Sequence, residues 1–323
     1  MNQTLGTKIF VDGQAGTTAL QVFDFLENRS DIEVIRLPDE LRKEDSARQD
    51  AIGESDLTIL CLPDDAARQS VEWAQAHETR VIDASTAHRV SDEWIFGMPE
   101  LGAEVRQSIQ KSGKVANPGC YPTGAILLLR PLIEEGLLAA DSQLIIHALS
   151  GYSGGGRSLI ETWESPAQEL LSIPFSAPYA LDRVHKHIPE MMKYSGLQRE
   201  PQFLPRVGPF FRGMRVEIPL HADWLDDASK DRSESVMAAY ELRYRDEPFV
   251  RLRQLDSTQS DSRSFDPRRC NDTNSIELTV CGHPSGHVFL VAILDNLGKG
   301  ASGAAVQCMN LMIGADESCG LHA

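Results

Sequence analysis

No run of about 18 apolar residues, the length a helix needs to cross a bilayer, occurs in this 323-residue chain. The N-terminal Met1-Asn2-Gln3-Thr4 lacks the basic and then apolar character of a signal peptide, so the reading is a cytoplasmic protein with no membrane partner. Cysteine is sparse and scattered: Cys61, Cys120, Cys270, Cys281, Cys308 and Cys319 include no C-x-x-C pair. That spacing argues against zinc, and a chain of this size needs no disulfide staples, so no metal is expected and the thiols are read as reduced. Positive charge is short as well, with 31 Lys and Arg against 47 Asp and Glu and a formal net charge of -16. Nucleic acid is therefore excluded as a partner, and a small anionic substrate would need a local cluster of Arg, Lys or His working against that field. Internal repeats and low-complexity segments are absent too.

The composition that is present, 41% hydrophobic and 24% charged, is ordinary for a globular chain with room for two domains of ~150 residues. In the first hundred residues, short apolar strands at 8–12, 32–36, 57–61 and 80–83 alternate with helical stretches near 17–27 and 65–76. Such alternation predicts right-handed βαβ units and a parallel, Rossmann-like α/β sheet covered on both faces. Beyond residue 120 the pattern changes to alternating strands at 144–149, 215–220, 276–281 and 287–294, with a helix near 234–244. This predicts an α+β domain with a mixed or antiparallel sheet. Segments 223–235 and 257–274 read as exposed loops, and 298–313 as a last helix, rich in small residues, that packs back on the first domain.

The stretch Asn117-Pro118-Gly119-Cys120-Tyr121-Pro122-Thr123-Gly124-Ala125 places one thiol where a helix is about to begin. Pro118 and Gly119 force a turn, and Pro122 suits a first helical turn. Cys120 at a helix N-terminus would be stabilised as thiolate by unpaired N–H groups and the macrodipole, which is how a nucleophile is built. A small buried apolar cysteine is the plain alternative.

Gly13-Gln14-Ala15-Gly16-Thr17-Thr18 follows the first strand and opens the first helix, the context of a dinucleotide turn, although its G-x-x-G spacing is short of the full fingerprint. No acid stands at the ribose position at the end of the second strand, whereas Arg36 and then Arg42 and Lys43 are nearby, which favours a 2′-phosphate and hence NADP(H). A glycine-rich loop, Ser150 to Arg157, follows an apolar strand and brings backbone N–H groups to a ligand or serves as a flexible connection. His185, Lys186, His187 and Glu190 cluster beside Pro189 as a base for a thiol and a grip on anions. Arg89, after the fourth strand, offers a bidentate fork for carboxylate or phosphate or else a surface ion pair; Arg183, Arg212 and Arg215 are further anion candidates. Asn296 precedes the glycine-rich last helix and is a donor candidate for a carboxamide.

Taken in order, the segments around Gly13, Cys61-Leu62-Pro63, Asp83 to Arg89, Asn117 to Thr123, Ser150 to Gly154, His185 to Glu190 and Asn296 to Gly300 resemble N-acetyl-gamma-glutamyl-phosphate reductase in its shorter bacterial form. The family's first-domain turn commonly continues Thr-Thr-Gly, where this chain has Ala19. The resemblance implies a cysteine thioester route from N-acetyl-glutamyl 5-phosphate to the 5-semialdehyde plus phosphate, with NADPH as reductant, in arginine biosynthesis. It implies catalysis by Cys120 with His185 and His187, and favours His185 as proton carrier. It further implies substrate contacts from Arg89, Asn117, Tyr152 and Glu190. Cofactor contacts would come from Gly13, Ala15, Gly16, Thr17, Thr18, Arg36, Cys61, Leu62, Pro63, Ser85, Ser153, Gly154, Asn296 and Gly298. The implied division is residues 1–118, completed by a terminal helix at 298–323, for NADP binding, and 119–297 for catalysis and assembly into a homodimer or homotetramer.

Four rivals stand beside this reading. Aspartate-semialdehyde dehydrogenase shares the chemistry but carries its catalytic His in a later Gly-His segment, where this chain has Gly213-Met214. A reductase of carrier-linked acyl phosphates would need a basic docking surface. A Cys/His thiol hydrolase leaves the Gly13 to Thr18 turn unexplained, and a non-catalytic dinucleotide-binding regulator would not depend on Cys120.

Overall fold

The first sheet is built from strands whose residues are apolar on both faces: Leu57, Ile59 and Leu60 are all fully buried, and so are Ile9, Phe10 and Val11. These strands are β1 (Thr7–Asp12), β2 (Ile32–Ile35), β3 (Leu57–Leu60), β4 (Arg80–Asp83), β5 (Ile95–Phe96) and β6 (Lys114–Ala116), in the order β2-β1-β3-β4-β6-β5. Every pairing is parallel, as continuous apolar runs require. The computed structural model describes residues 6–165, 175–182, 184–226, 232–255 and 262–323. They divide into two units, Met1–Pro118 with Ala301–Leu321 and Gly119–Gly300 with His322–Ala323.

In the first unit, α1 (Thr17–Leu26), α2 (Asp45–Glu54), α3 (Asp64–Ala76) and α4 (Ala103–Lys111) join the strands. β1 has β2 on one side and β3 on the other, so the winding reverses between β1 and β3, and their carboxyl ends, Asp12 and Leu60, stand at the switch point where open α/β sheets bind ligands. Buried Asp12 is neutralised there by both Arg48 Nε and Nη2 at 3.0 Å and by Ser70 Oγ at 2.9 Å, as a charge removed from water must be. The unit is completed by the C-terminal helix α9 (Gly303–Ile313), tied in by Arg29 to Asn310 at 2.8 Å and by Gln307 to Glu100 at 3.0 Å. A π-helical turn, Gly298–Ser302, precedes α9 instead of regular α-helix from residue 298.

The second unit holds α5 (Cys120–Glu134), β7 (Ile145–Gly151), α6 (Gly156–Trp163), β8 (Ala177–Pro178), α7 (Ile188–Ser195), β9 (Gln202–Gly208), β10 (Met214–Leu220), α8 (Arg232–Tyr244), β11 (Val250–Leu255), β12 (Ile276–Gly282) and β13 (Val288–Leu294). The sheet order is β11-β12-β13-β10-β7-β9-β8, a mixed sheet with parallel pairs at β11/β12 and β7/β9. β7 and β10 alternate buried and partly exposed residues, the signature of a sheet packed on one face. α5 covers that face closely because Gly124 has no side chain: a Cβ there would lie 2.9 Å from Val216 Cγ2. Pro131 sits inside α5 and brings no N–H for the Leu127 carbonyl. Tyr244 Oη donates to that carbonyl at 2.8 Å, and Tyr240 Oη donates to Leu128 O at 2.6 Å.

Several elements depart from the expectations. Residues 185–190 are no simple loop: His187 is the N-cap of α7 and Pro189 lies in its first turn, where proline is tolerated. The 223–235 segment contains a 3-10 turn, Ala222–Trp224, and the start of α8, while residues 227–231 lie outside the described residues. In 257–274, Ser262–Phe265 forms another 3-10 turn, and 257–261 lie outside them. Among the described residues no helix is long and apolar enough to cross a membrane.

Candidate active site

Cys120 is the first residue of α5, behind a glycine N-cap that supplies no side-chain cap, with no acidic residue in the first turn. The N–H groups and dipole of that helix end are therefore left to act on the thiol, which is half-buried. The turn before it is fixed from below: Glu190 Oε2 accepts the Gly119 N–H at 3.0 Å, and its Oε1 lies 4.0 Å from His187 Nε2. Glu190, 1% exposed, thus links the nucleophile's backbone to an imidazole and is not part of the cavity wall. The His187 N–H donates to His185 Nδ1 at 3.2 Å, so the neutral His185 ring carries its proton on Nε2. The two imidazoles meet edge to face, 4.8 Å between centroids.

Cys120, His185, Lys186 and His187 line one cavity of about 580 Å³, together with Tyr121, Tyr179, Ser150 and the glycines 151, 154 and 155. Among the described residues no carboxylate lines it, and Lys186 is its one permanently charged side chain. Tyr121 and Tyr179 were not foreseen as site residues: Tyr121 stands in the Cys120 stretch without a role that its residue type announces, and their contacts alone bring the two together, with Tyr179 Oη donating to Tyr121 Oη at 3.1 Å and each ring edge-on to His185. Burial pushes the Tyr179 phenol up to about 12; the Tyr121 hydrogen bond opposes the shift and the Cys120 charge adds to it. Both phenols stay protonated donors at neutral pH. Other thiols contrast with this setting. Burial, with the charges of Asp12 and Asp83, pushes the Cys61 thiol up to about 12, and burial with Glu277 pushes Cys270 to about 11.

The Gly151–Gly155 wall of the cavity is hung from a neighbouring loop, with Gly151, Tyr152 and Ser153 N–H donating to the carbonyls of Gly213, Phe210 and Phe211. Asn296 holds both pieces, accepting from Gly213 N–H at 2.7 Å and donating to Ser153 Oγ at 3.0 Å. Tyr152 is turned to α6, bonding Glu164 at 3.0 Å and stacking on Trp163. Arg212 pairs with Asp295 and Asp272, and Arg215 with Glu217; Arg183 lies outside the described residues.

The remaining predicted positions belong to the first unit. Gly13 has φ +89, and a Cβ there would stand 2.3 Å from Cys61 O, so only glycine lets the turn press against the end of β3. Gly16 caps α1, whose first residues are Thr17 and Thr18, with Ala15 in the turn; no side chain caps this end and no acid occupies its first turn. Leu62 and Pro63 lead into α3, with Pro63 as its N-cap. Ser85 is bound through N and Oγ to Asp83, which also holds His88 Nδ1 at 2.6 Å. Arg36 follows the end of β2, its guanidinium 4.1 Å over Phe23. Arg89 directs Nε to Asn117 O and Nη2 to Ala84 O, both at 2.9 Å, and Asn117 donates to Ala301 O. In the second unit, Gly298 has no room for a side chain: a Cβ would be 2.5 Å from Thr273 O.

Comparison with known proteins matches residues 9–109 to the semialdehyde dehydrogenase NAD binding domain and 120–296 to the semialdehyde dehydrogenase dimerisation domain. N-acetyl-gamma-glutamyl-phosphate reductase 2 of Pseudomonas putida is 43% identical over 97% of this chain and 98% of its own. The N-acetyl-gamma-glutamyl-phosphate reductase of a Chelativorans species is 44% identical over 95% and 98%. Among solved structures, Vibrio cholerae aspartate semialdehyde dehydrogenase II superposes with a TM-score of 0.73 over 96% of this chain and 99% of that one, at 14% identity, a likeness of fold. The Cys120 turn, the nicotinamide-dinucleotide-binding first unit and the full-length identity converge: this chain belongs to the N-acetyl-gamma-glutamyl-phosphate reductase family of semialdehyde dehydrogenases.

Proposed function

We propose that this chain reduces N-acetyl-gamma-glutamyl phosphate to N-acetyl-glutamate semialdehyde and phosphate, with NADPH, as a step of arginine biosynthesis. The observation that carries the reading is a cysteine at the uncapped N-terminus of α5, sharing a cavity with two imidazoles, in a chain over 40% identical to curated reductases of that name.

The uncapped, acid-free start of α1 fits a dinucleotide pyrophosphate, since its first N–H groups meet no side-chain competitor. Gly13, Gly16, Thr17 and Thr18 would hold it there, and Arg36 would receive a 2′-phosphate, which favours NADP over NAD. When bound, the reduced nicotinamide supplies a hydride. In the first step the Cys120 thiol gives its proton to His187 and its sulfur attacks the acyl carbonyl. Phosphate leaves and a thioester remains. Hydride addition to the thioester carbonyl then gives a thiohemiacetal alkoxide on Cys120, which takes the proton back from His187. The collapse of that adduct releases aldehyde and restores the sulfur. His187 suits the proton-carrying role because Glu190 stands behind its Nε2. His185 accepts the His187 N–H on Nδ1, which leaves its Nε2–H to donate to the carbonyl oxygen as charge develops there. This assignment exchanges the role that sequence alone favoured for His185.

The test runs the reaction backwards: N-acetyl-glutamate semialdehyde, phosphate and NADP+ with wild type and Cys120→Ser, reading the absorbance of the reduced nicotinamide. Phosphate-dependent turnover by wild type and none by the variant is expected. Turnover with aspartate semialdehyde alone would keep the thioester and overturn the substrate.

A further inference from the structure

A single corner at the end of β13, Asp295, reaches both sides of the cavity. On one side lies the nucleophile. The Gly300 N–H donates to Asp295 O at 2.9 Å, closing the π-helical turn. A Cβ on Gly300 would stand 2.9 Å from Cys120 Cβ and 3.3 Å from its Cα. The turn therefore lays a bare backbone directly against the reactive residue. A π-turn is uncommon and tends to occur where a function fixes the backbone.

On the other side lies the Gly151–Gly155 wall. Asp295 is fully buried; its carboxylate accepts from Arg212 Nε at 3.1 Å and from the N–H groups of Asp272 and Leu297, and it makes an ion-pair contact with Arg212 Nη2 at 2.5 Å. Arg212 belongs to the 210–213 loop, whose carbonyls carry the N–H groups of Gly151, Tyr152 and Ser153. The next residue, Asn296, binds the same loop at Gly213 and the same wall at Ser153. The wall approaches its support so closely that a Cβ on Gly151 would meet Phe211 O at 2.5 Å.

We propose that Asp295 and Arg212 are positioning residues, setting the separation between Cys120 and the Gly151–Gly155 wall, and that Gly300 is the spacer on the nucleophile side. The inference rests on the Cys120 chemistry proposed above. A buried carboxylate that accepts one guanidinium and two backbone N–H bonds fixes the loops that carry them, and a displacement of about 1 Å from outside the chemistry costs about a hundredfold in rate.

The test compares Arg212→Met, Arg212→Lys, Asp295→Asn and Gly300→Ala with wild type, reading kcat, KM, iodoacetamide alkylation of Cys120 and the thermal midpoint. Wall variants should separate the readouts. Arg212→Met and Asp295→Asn should lose at least about tenfold in kcat while Cys120 alkylates within about twofold of the wild-type rate, because the helix end that activates the thiol is untouched. Arg212→Lys should recover part of the loss. Gly300→Ala should slow alkylation itself, at least about fivefold, because its methyl displaces the cysteine. The proposal is overturned if a folded Arg212→Met or Asp295→Asn keeps kcat within about twofold, if kcat and alkylation fall together with the thermal midpoint, or if Gly300→Ala is alkylated at the wild-type rate. Asp295→Asn, nearly isosteric, decides between these outcomes if Arg212→Met does not fold. Wild-type turnover tests the substrate separately, and the alkylation readings need no substrate.

Discussion

Two cysteines of this chain illustrate how position sets reactivity. Cys120 stands at a helix start that no side chain caps, whereas Cys61 is pushed up to about 12 by burial and by Asp12 and Asp83. Iodoacetamide at pH 8 should therefore label Cys120 and leave Cys61 and Cys270 unmodified in the native protein, which peptide mapping by mass spectrometry would check. The same shift has a stability consequence. Cys61 ionises near 9.0 when unfolded and near 12 when folded, so between those values the unfolded chain binds fewer protons, and stability falls as pH rises. Below pH 9 both states hold the proton and this thiol contributes no pH dependence. Urea midpoints measured at pH 8 and pH 10 should fall in that direction. At the imidazoles, His187→Gln should lower kcat by about 10²–10⁴ and flatten its pH profile, while His185→Asn should lower kcat and leave the profile's shape intact. Cys120 was legible because Pro118-Gly119 and Pro122 announce a helix start in the sequence. The different settings of the two histidines were not, since they depend on one backbone N–H meeting His185 Nδ1 and on a carboxylate three residues from His187.

Among the elements, α5 shows a defect and its repair. Pro131 removes the donor for Leu127 O, and Tyr244, more than a hundred residues later, restores it. Tyr244→Phe should leave a buried carbonyl unsatisfied and cost about 1–3 kcal/mol in chemical denaturation. Adding Pro131→Ala, which returns the N–H, should make the pair less than additive in a double-mutant cycle. A local reading cannot see such a repair, because the sequence shows only a proline inside an apolar run. The same limit explains the missed strands. β9 contains Pro205, which argues against a strand, yet it lies between β7 and β8. The parallel strands of the first sheet were legible because burial on both faces leaves short, unbroken apolar runs such as Leu57–Leu60.

For the whole molecule, a net charge of -16 would repel the proposed acyl phosphate substrate at long range, whereas the cavity is lined by Lys186, two histidines and, among the described residues, no carboxylate. Added salt should screen the long-range repulsion, so kcat/KM for the anionic substrate should rise with ionic strength, the reverse of a steered encounter. The second unit carries the family's dimerisation domain, and sedimentation should show a homo-oligomer. The two sheet types were foreseen from a change in periodicity near residue 120. The π-turn at 298–302 was not, since it depends on hydrogen bonding that composition does not encode.

The first unit takes back Ala301–Leu321 after the second has been written out in between. During synthesis the N-terminal half emerges first, and domains ordinarily fold in that order. Here the early half would wait: α1 and α4 have no α9 to pack against until residues 301–321 have been made, whereas residues 119–300 are continuous. The part of the chain made first thus waits for residues made more than 180 positions later, and a chain truncated after residue 300 would hold an incomplete nucleotide-binding unit.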